Sequence, residues 1–213
     1  MSQRRSLKPF VIPTLYSIAF IAFLASLFFL RKALDNIVFE EEEDDEFIYV
    51  SRTIFDNDIP VVGTNDSIIR PYKDSEIKIV KYFYSKDDDI SKQQESIIYY
   101  ENTYIQNSGV DYGGKDNFDV VSILDGTVIN VNEDATLGKI IEIRHSNQLI
   151  SVYQSLAEVS VKQGDTVTQG QSIGKSGTCN IAVDLKDHLH FEIILNGKVI
   201  DPEKIYDKTI EEL

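Results

Sequence analysis

The chain has 213 residues, and its 35 Asp and Glu outnumber its 21 Lys and Arg, which gives a formal net charge of −14 at pH 7. Such an acidic surface repels nucleic acid and anionic lipid headgroups, so nucleic-acid binding is not expected, whereas a basic partner or plain solubility fits the charge. The single cysteine, Cys179, excludes an internal disulfide, so packing alone must hold the fold.

The first predicted element is a membrane-spanning helix, because an apolar run of 21 residues extends from Phe10 to Leu30. At about 1.5 Å per residue such a helix is about 30 Å long, which matches the hydrocarbon thickness of a bilayer. More basic residues precede the run than follow it, so residues 1–9 are expected in the cytoplasm and the remainder outside. A cleaved signal peptide is the alternative, but the run is long for one and no small-residue cleavage motif stands before Arg31.

Residues 31–70 are predicted to form an acidic stalk or linker. Seven consecutive acidic residues, Glu40 to Glu46, repel one another and favour an extended chain. Apolar residues are sparse and irregular after that run, and proline and glycine interrupt the segment. The exported part of the chain is therefore expected to contain one folded domain, over residues 71–206, and a C-terminal tail over residues 207–213.

The sequence from residue 71 onward predicts a mainly β domain of sandwich or barrel-like type. Short runs rich in β-branched and aromatic residues recur at close spacing, with glycines between them. Asn196-Gly197 predicts a tight hairpin. Residues 85–95 are charged and predict a loop, and the chain from Glu203 to Leu213 predicts a short helix or a frayed tail. Ile77–Tyr84 fits a strand or a helix, and its β-branched and aromatic content favours a strand. The other predicted strands lie around Ile97–Tyr100, Phe118–Val121, Gly126–Val131, Lys139–Arg144, Leu149–Tyr153, Val159–Val161, Val167, His188–Leu195 and Lys198–Ile200.

Two histidines in the longest of the late strands are candidates for chemistry. His188 and His190 are two residues apart, so in a strand both imidazoles point to the same face. Two such rings can form half of a zinc site, although a surface pair without metal is an equally good interpretation of His-x-His alone. A second candidate segment runs from Asn107 to Asp111.

A set of motifs resembles the lysostaphin-type (LytM) zinc endopeptidase domain over about 100 residues. The resemblance implies a LytM-like fold built on a duplicated hybrid motif, and active members of that family cut peptide cross-links in bacterial cell walls. The motifs are Gly109-Val-Asp111, Gly126-Thr-Val128, Tyr153-x-x-Leu156, Val161-Lys-Gln-Gly164-Asp-Thr-Val167, Gly170-Gln-Ser-Ile-Gly174, Gly177 and His188-Leu-His-Phe-Glu192.

The family's site residues transfer only in part. Asp111 and His190 match two of three zinc ligands, but the first ligand position holds Asn107. His188 matches one catalytic histidine, and the other falls on Ser155. The family's site needs four histidines, whereas this chain has three. The third histidine, at position 145, lies outside the motifs and is expected to be structural.

These replacements predict that the domain is not an enzyme and that no cofactor binds. An amide oxygen at Asn107 is a poorer zinc ligand than imidazole. Ser155 removes a second imidazole, and losing one such group costs about two to four orders of magnitude in rate. Zinc is expected only if an unrecognised ligand, such as His145 or a residue of a partner, completes the site.

The broken site and the membrane anchor occur together. With Tyr153-Gln-Ser-Leu-Ala-Glu-Val-Ser160-Val-Lys-Gln-Gly-Asp165 and Ile173-Gly-Lys-Ser-Gly177, they resemble the stage II sporulation protein Q family of endospore-forming bacteria. That resemblance implies a forespore-membrane protein whose LytM-like domain faces the space between forespore and mother cell. It also implies binding to the mother-cell membrane protein stage III sporulation protein AH, in a zipper or ring-like channel that supports engulfment.

Two other functions stay open at this stage. One is a membrane-anchored zinc endopeptidase that acts on peptidoglycan. The other is a degenerate LytM protein that regulates cell-wall hydrolases. The partner-binding residues and the oligomeric state cannot be derived from the sequence.

Overall fold

The computed structural model describes residues 67–213. The predicted anchor, Phe10–Leu30, and all but the last four residues of the predicted linker, 31–70, lie outside the described residues. Within the described part of the chain, no helix has the length and apolarity that a bilayer crossing requires. The predicted mainly β class is confirmed, because twelve strands and one short α-helix make up the regular structure of residues 67–213.

The strands, numbered in chain order, are β1 (Lys78–Lys81), β2 (Ile97–Tyr100), β3 (Thr103–Gln106), β4 (Val110–Gly113), β5 (Asp119–Val121), β6 (Gly126–Asp134), β7 (Gly138–Arg144), β8 (Leu149–Val159), β9 (Thr166–Val167), β10 (Ser172–Ser176), β11 (His188–Leu195) and β12 (Lys198–Ile200). The helix α1 spans Ile90–Glu95, and 3₁₀ turns occupy Val183–Leu185, Pro202–Lys204 and Ile210–Glu212.

Ten strands form one antiparallel sheet. Its main order is β1-β4-β11-β8-β7-β6-β9, while β10 joins β5 to β8 and β12 pairs with β11. The other two strands, β2 and β3, pair with each other as a separate hairpin. The central position of β11, between β4 and β8, places the two histidines among the longest ladders of the sheet.

The two faces of β11 have different roles, as its period of two dictates. Leu189, Phe191 and Ile193 belong to the main hydrophobic core. His188 and His190 alternate with them and line a cavity on the opposite face, so the prediction that both histidines share a face is confirmed. Aromatic contacts consolidate the core side, where the ring of Phe191 lies 5.1 Å from that of Tyr153 and 6.4 Å from that of Tyr112.

Residues 85–95 differ from the predicted loop, because α1 forms within them. The Asp89 side chain accepts a hydrogen bond from the Lys92 backbone N–H at 2.9 Å and so caps the first turn. Ser96 ends the helix, and its hydroxyl donates to the Lys92 carbonyl oxygen. The helix was missed because six residues carry too little apolar periodicity. The Asp89 cap and the hydrogen bond from the Asn107 N–H to the Ser96 carbonyl oxygen stabilise it instead.

The C-terminal segment is tied to the start of the described chain. Ile68 N–H donates to the Lys208 carbonyl oxygen at 2.8 Å, and the Asp207 N–H donates back to Ile68. The Arg70 guanidinium forms a two-pronged ion pair with Glu203, at 2.7 and 2.8 Å. The last residues therefore form short 3₁₀ turns packed on the domain.

Candidate functional site

Three neighbouring strands place polar side chains in one row across the sheet. The register pairs His190 of β11 with Asp111 of β4 on one side and with Gln154 of β8 on the other. Directly opposed residues in an antiparallel pair point to the same face. The close approach of the chain before β4 requires Gly109, because a Cβ there would lie 2.4 Å from the Phe191 carbonyl oxygen.

His190 lies between two carboxylates. Its Nδ1 is 2.8 Å from Asp111 Oδ1, and its Nε2 is 3.1 Å from Glu192 Oε1. Burial by itself lowers the pKa of His190, but the charges and hydrogen bonds of Asp111 and Glu192 outweigh it and raise that pKa to about 10. The ring is therefore an imidazolium at neutral pH, and both of its N–H groups donate to carboxylates.

Asn107 is a hub between the β2–β3 hairpin and the sheet. Its Nδ2 donates to Asp111 Oδ2 at 2.9 Å and to the Tyr82 carbonyl oxygen at 3.0 Å. Its backbone N–H donates to Ser96, and its carbonyl oxygen accepts from Tyr84. Because two acceptors face Nδ2, the amide turns its N–H side toward Asp111. Its Oδ1 is buried without a hydrogen-bond partner in the described part of the chain.

His188 lies beside Ser155 and Cys179. Its Nδ1 is 2.9 Å from the Lys186 carbonyl oxygen, so this nitrogen carries the proton. Its Nε2 is 3.1 Å from Ser155 Oγ, 3.6 Å from Cys179 Sγ and 3.9 Å from Asp111 Oδ1. Burial lowers the pKa of His188, but the contacts with Cys179 and Asp111 outweigh burial and raise that pKa.

The Cys179 thiol has a lowered pKa for the same reason. Burial by itself raises the pKa of the thiol, but the contacts with His188 and Ser155 outweigh it. In the sequence, Cys179 is informative only as a lone cysteine that excludes an internal disulfide. Its proximity to His188 depends on the bridge that pairs Gly177 with His188, a contact that no local pattern announces.

A β-bulge directs Ser155 into the site. In the β7–β8 ladder Lys139 pairs with Leu156 and Ile141 pairs with Tyr153, so two residues of β8 stand opposite one residue of β7. Ser155 adopts a φ of 63°, in the left-handed region that disfavours residues other than glycine. This strained backbone turns Ser155 toward the cavity, which Gln154 already faces through its register opposite His190.

These groups line a cavity of about 140 Å³. Its polar wall holds Asp111, His188, His190, Glu192 and Ser155, so the structure brings four of the five sequence-predicted positions into the lining, with Asn107 directly behind Asp111. Glu192, Gln154 and Cys179 were not singled out from the sequence, although the spacing of Glu192, two residues after His190, was a usable signal. The apolar wall is formed by Ile98, Ile105, Leu137, Ile181 and Ala182.

His145 lies in a different cluster. Its Nδ1 is 2.8 Å from the Asp125 carbonyl oxygen, and its Nε2 is 2.7 Å from Ser151 Oγ. Burial lowers the pKa of His145 to about 4, so the ring is neutral at pH 7. The interpretation of His145 as structural is confirmed by these contacts. Across residues 67–213, no three His, Cys, Asp or Glu side chains converge in an arrangement suited to a metal ion.

Comparison with known proteins places this site in a family. The model for Peptidase family M23 matches residues 105–202. Stage II sporulation protein Q of Bacillus subtilis (strain 168) is 33% identical over 212 residues, which cover 97% of this chain and 74% of that relative. The chain belongs to the stage II sporulation protein Q family. The resemblance predicted from the motifs is therefore confirmed.

Solved structures support the LytM-like fold. A chain in the structure described as the SpoIIQ–SpoIIIAH pore forming complex has 38% identity and a TM-score of 0.67, over 70% of this chain and 96% of that one. A zinc containing peptidase from Vibrio cholerae has 24% identity and a TM-score of 0.52, over 64% of this chain and 39% of that one. The second likeness shows the fold alone. The prediction of a mainly β, LytM-like domain is confirmed.

Proposed function

We propose that this chain is a forespore-membrane sporulation protein whose LytM-like domain binds a mother-cell membrane protein of the stage III sporulation protein AH type across the intermembrane space. The observation that carries this proposal is the 33% identity to stage II sporulation protein Q over 97% of the chain. A similar chain, 38% identical, occurs in the SpoIIQ–SpoIIIAH pore forming complex. The two proteins would form a zipper or a ring-like channel between the membranes.

The proposed topology follows from the sequence. Phe10–Leu30 forms a signal anchor, residues 1–9 are cytoplasmic, and residues 31–70 form an acidic linker. The LytM-like domain, residues 71–206, and the tail, residues 207–213, are then extracytoplasmic. The similarity to the Bacillus subtilis relative extends over nearly the whole chain, which supports the same arrangement of anchor and domain.

The proposed domain is a peptidase fold without peptidase chemistry. The family implies zinc, but the donor set here does not fit it, because Asn107 turns an N–H toward Asp111 and an N–H cannot coordinate a cation. The other Asp111 oxygen and both His190 nitrogens are already engaged in hydrogen bonds. Ser155 stands where the second catalytic histidine is expected, so no catalytic residue is assigned.

Co-elution tests the binding function. The domain over residues 67–213 and the soluble domain of a stage III sporulation protein AH-type partner are mixed and passed over a size-exclusion column. We expect one earlier peak that contains both proteins. Separate elution at concentrations well above micromolar would contradict the proposal. A LytM-like domain of an active M23 peptidase serves as the matched control and is expected to elute alone.

Elemental analysis tests the loss of peptidase chemistry. The purified chain is expected to hold no stoichiometric zinc, and the double variant Asn107→His/Ser155→His, which restores the family's residue types, is expected to gain it. Release of muropeptides by the unaltered protein, together with one zinc per chain, would establish the zinc endopeptidase instead. A zinc result of either kind leaves the co-elution result unchanged, because one experiment measures metal content and the other measures partner binding.

A further inference from the structure

The β2–β3 hairpin directs backbone hydrogen-bonding groups away from itself along both of its edges. Within residues 67–213, its two strands pair with each other and with no third strand. The Asn107 N–H donates to the Ser96 carbonyl oxygen, and this bond fixes which pairs of the ladder are hydrogen-bonded, because the two kinds of pair alternate in antiparallel strands. The residues whose N–H and C=O groups point outward are therefore Ile97, Tyr99, Tyr104 and Gln106.

The edge of β3 is the more open of the two. On the β2 edge, the Lys81 ammonium donates to the Ile97 carbonyl oxygen at 3.0 Å. On the β3 edge, the outward N–H and C=O groups of Tyr104 and Gln106 have no hydrogen-bond partner in the part of the chain that the structure describes. Donors and acceptors spaced two residues apart along one edge are the pattern to which an extended chain adds as a further strand.

The β3 edge also lacks the charges that protect edge strands from pairing. Strand β1 is bounded by Lys78 and Lys81, and the part of β6 beyond its pairing with β9 carries Glu133 and Asp134. Charged side chains on an open edge disfavour the addition of another strand. Strand β3, Thr-Tyr-Ile-Gln, carries none, and its Tyr104 side chain is 76% exposed. The β3 edge is therefore suited to a partner strand.

The same strand borders the cavity. Ile98 and Ile105 are opposite each other in the hairpin, and both line the cavity together with Gln106. In a strand added to β3, the residue opposite Ile105 points to the same face as Ile105, because directly opposed residues share a face. One side chain of the added strand is thereby directed at the cavity.

The size and the walls of the cavity suit one side chain. Its volume of about 140 Å³ is below the about 300–1,000 Å³ of small-molecule sites. Part of its wall is aliphatic and comes from Ile98, Ile105 and Leu137. The cavity therefore favours an apolar side chain of moderate size, as do the pockets that give strand-addition sites their specificity.

We propose that the free edge of β3 accepts an extended segment of the partner protein as an added strand, and that the side chain opposite Ile105 enters the cavity. The segment forms backbone hydrogen bonds with Tyr104 and Gln106. The residue opposite Tyr104 packs against its exposed ring. This inference rests on the proposed binding function and assigns the surface that performs it.

Amide hydrogen exchange tests the assignment. The full-length chain in mild detergent is measured alone and with the soluble domain of the stage III sporulation protein AH-type partner, by mass spectrometry with electron-transfer fragmentation to resolve single amides. We expect the N–H groups of Tyr104 and Gln106 to exchange at least about tenfold more slowly in the complex, the value of one hydrogen bond. The outward N–H of Tyr99, on the opposite edge, is the internal control and should exchange at the same rate in both samples.

The outcomes separate this inference from the proposed function. If the two proteins co-elute but the Tyr104 and Gln106 amides stay unprotected, the edge assignment is wrong and partner binding stands. If the two proteins do not co-elute, both proposals are wrong. Protection that rises with the concentration of this chain alone would identify a second copy of the chain as the occupant and would overturn the inference.

A proline substitution tests the backbone pairing. Gln106→Pro removes an outward N–H and leaves the hydrogen bonds within the hairpin in place, so we expect the Kd for the partner to rise by about tenfold. Tyr99→Pro removes the equivalent N–H from the β2 edge and is the matched control, with a Kd expected within about twofold of the parent. An unchanged Kd for a folded Gln106→Pro protein would overturn the edge assignment.

A larger side chain in the wall tests the role of the cavity. Ala182 is buried in the lining, and Ala182→Leu fills part of the cavity, so we expect the Kd to rise by about tenfold. Ala135→Leu, at an exposed alanine in the loop after β6, makes the same change outside the cavity and should leave the Kd unchanged. Equal Kd values for the two folded variants would overturn the entry of a side chain into the cavity. If Ala182→Leu or Gln106→Pro does not fold, as circular dichroism would show, the exchange rates of the unaltered protein still decide the outcome.

Discussion

His145 and His190 are both buried, yet their surroundings give them opposite charge states. His145 contacts a backbone carbonyl and a serine hydroxyl, and burial lowers its pKa to about 4. His190 contacts Asp111 and Glu192, which reverse the effect of burial and raise its pKa to about 10. The comparison shows that the hydrogen-bonding and charged neighbours of a buried imidazole determine whether the ring is neutral or cationic at pH 7.

The largest expected effect comes from removing a partner of the cation. Asp111→Ala removes the acceptor of the His190 Nδ1–H and of one Asn107 N–H and leaves the buried imidazolium with Glu192 as its one carboxylate, so the free energy of unfolding at pH 7 should fall by about 3 kcal/mol. Urea unfolding measures it. Asp119→Ala, an exposed strand aspartate paired with Lys175, is the matched control and should cost less than about 1 kcal/mol. Equal losses for both variants would mean that the cavity charges are not effectively buried.

The contributions of His145 and His190 to stability should depend on pH in opposite directions. The folded pKa of His145, about 4, lies below its unfolded value of 6.5, so the unfolded chain binds more protons between those pH values. Stability is therefore lost as pH falls from about 6.5 to about 4, by about 3 kcal/mol for this group. The stability that His190 contributes has the opposite pH dependence. It is fully present below pH 6.5 and is lost as pH rises toward about 10.

Urea unfolding at several pH values, for the parent and for His145→Gln, isolates the stability that His145 loses in acid, because the carboxylates contribute equally to both proteins. The difference between the two should shrink by that amount as pH falls. A difference that stays constant from pH 7 to pH 4 would show that His145 is solvated or charged in the fold.

Asn107→Ala should have an intermediate effect. The substitution removes two donated hydrogen bonds and leaves the Tyr82 carbonyl oxygen and one Asp111 oxygen unpaired, which costs about 2 kcal/mol. Part of the loss is offset because the unpartnered Asn107 Oδ1 disappears as well. The neighbouring Gln106→Ala is the control, and equal melting temperatures for the two variants would contradict the hub role.

The smallest effect is expected at Ser108, which contacts Glu192, one of the two carboxylates beside His190. The Ser108 hydroxyl donates to Glu192 Oε1, and Ser108→Ala should lower the free energy of unfolding by about 1 kcal/mol. Ser91→Ala, in an exposed turn of α1, should change it by less than about 0.5 kcal/mol. A stabilised Ser108→Ala protein would mean that Glu192 needs only His190 as its partner.

The site illustrates what sequence patterns can reach. The shared face of His188 and His190 followed from the two-residue period of a strand, and the family motifs identified Asn107, Asp111 and Ser155 as the positions of interest. Cys179 escaped because its partner, His188, is brought near by a loop and an isolated bridge. Gln154 escaped because its position opposite His190 is set by the register of β8 against β11.

The sequence by itself determined the mainly β class, the family and the missing imidazoles, because strand period, glycine spacing and residue identity are local properties of the chain. Only the tertiary structure decided that α1 forms between charged residues, that Asn107 faces Asp111 with its N–H side, and that Cys179 and Gln154 line one cavity. Those facts depend on strand register, a bulge and loop closure, which join residues far apart in sequence and which no local pattern encodes.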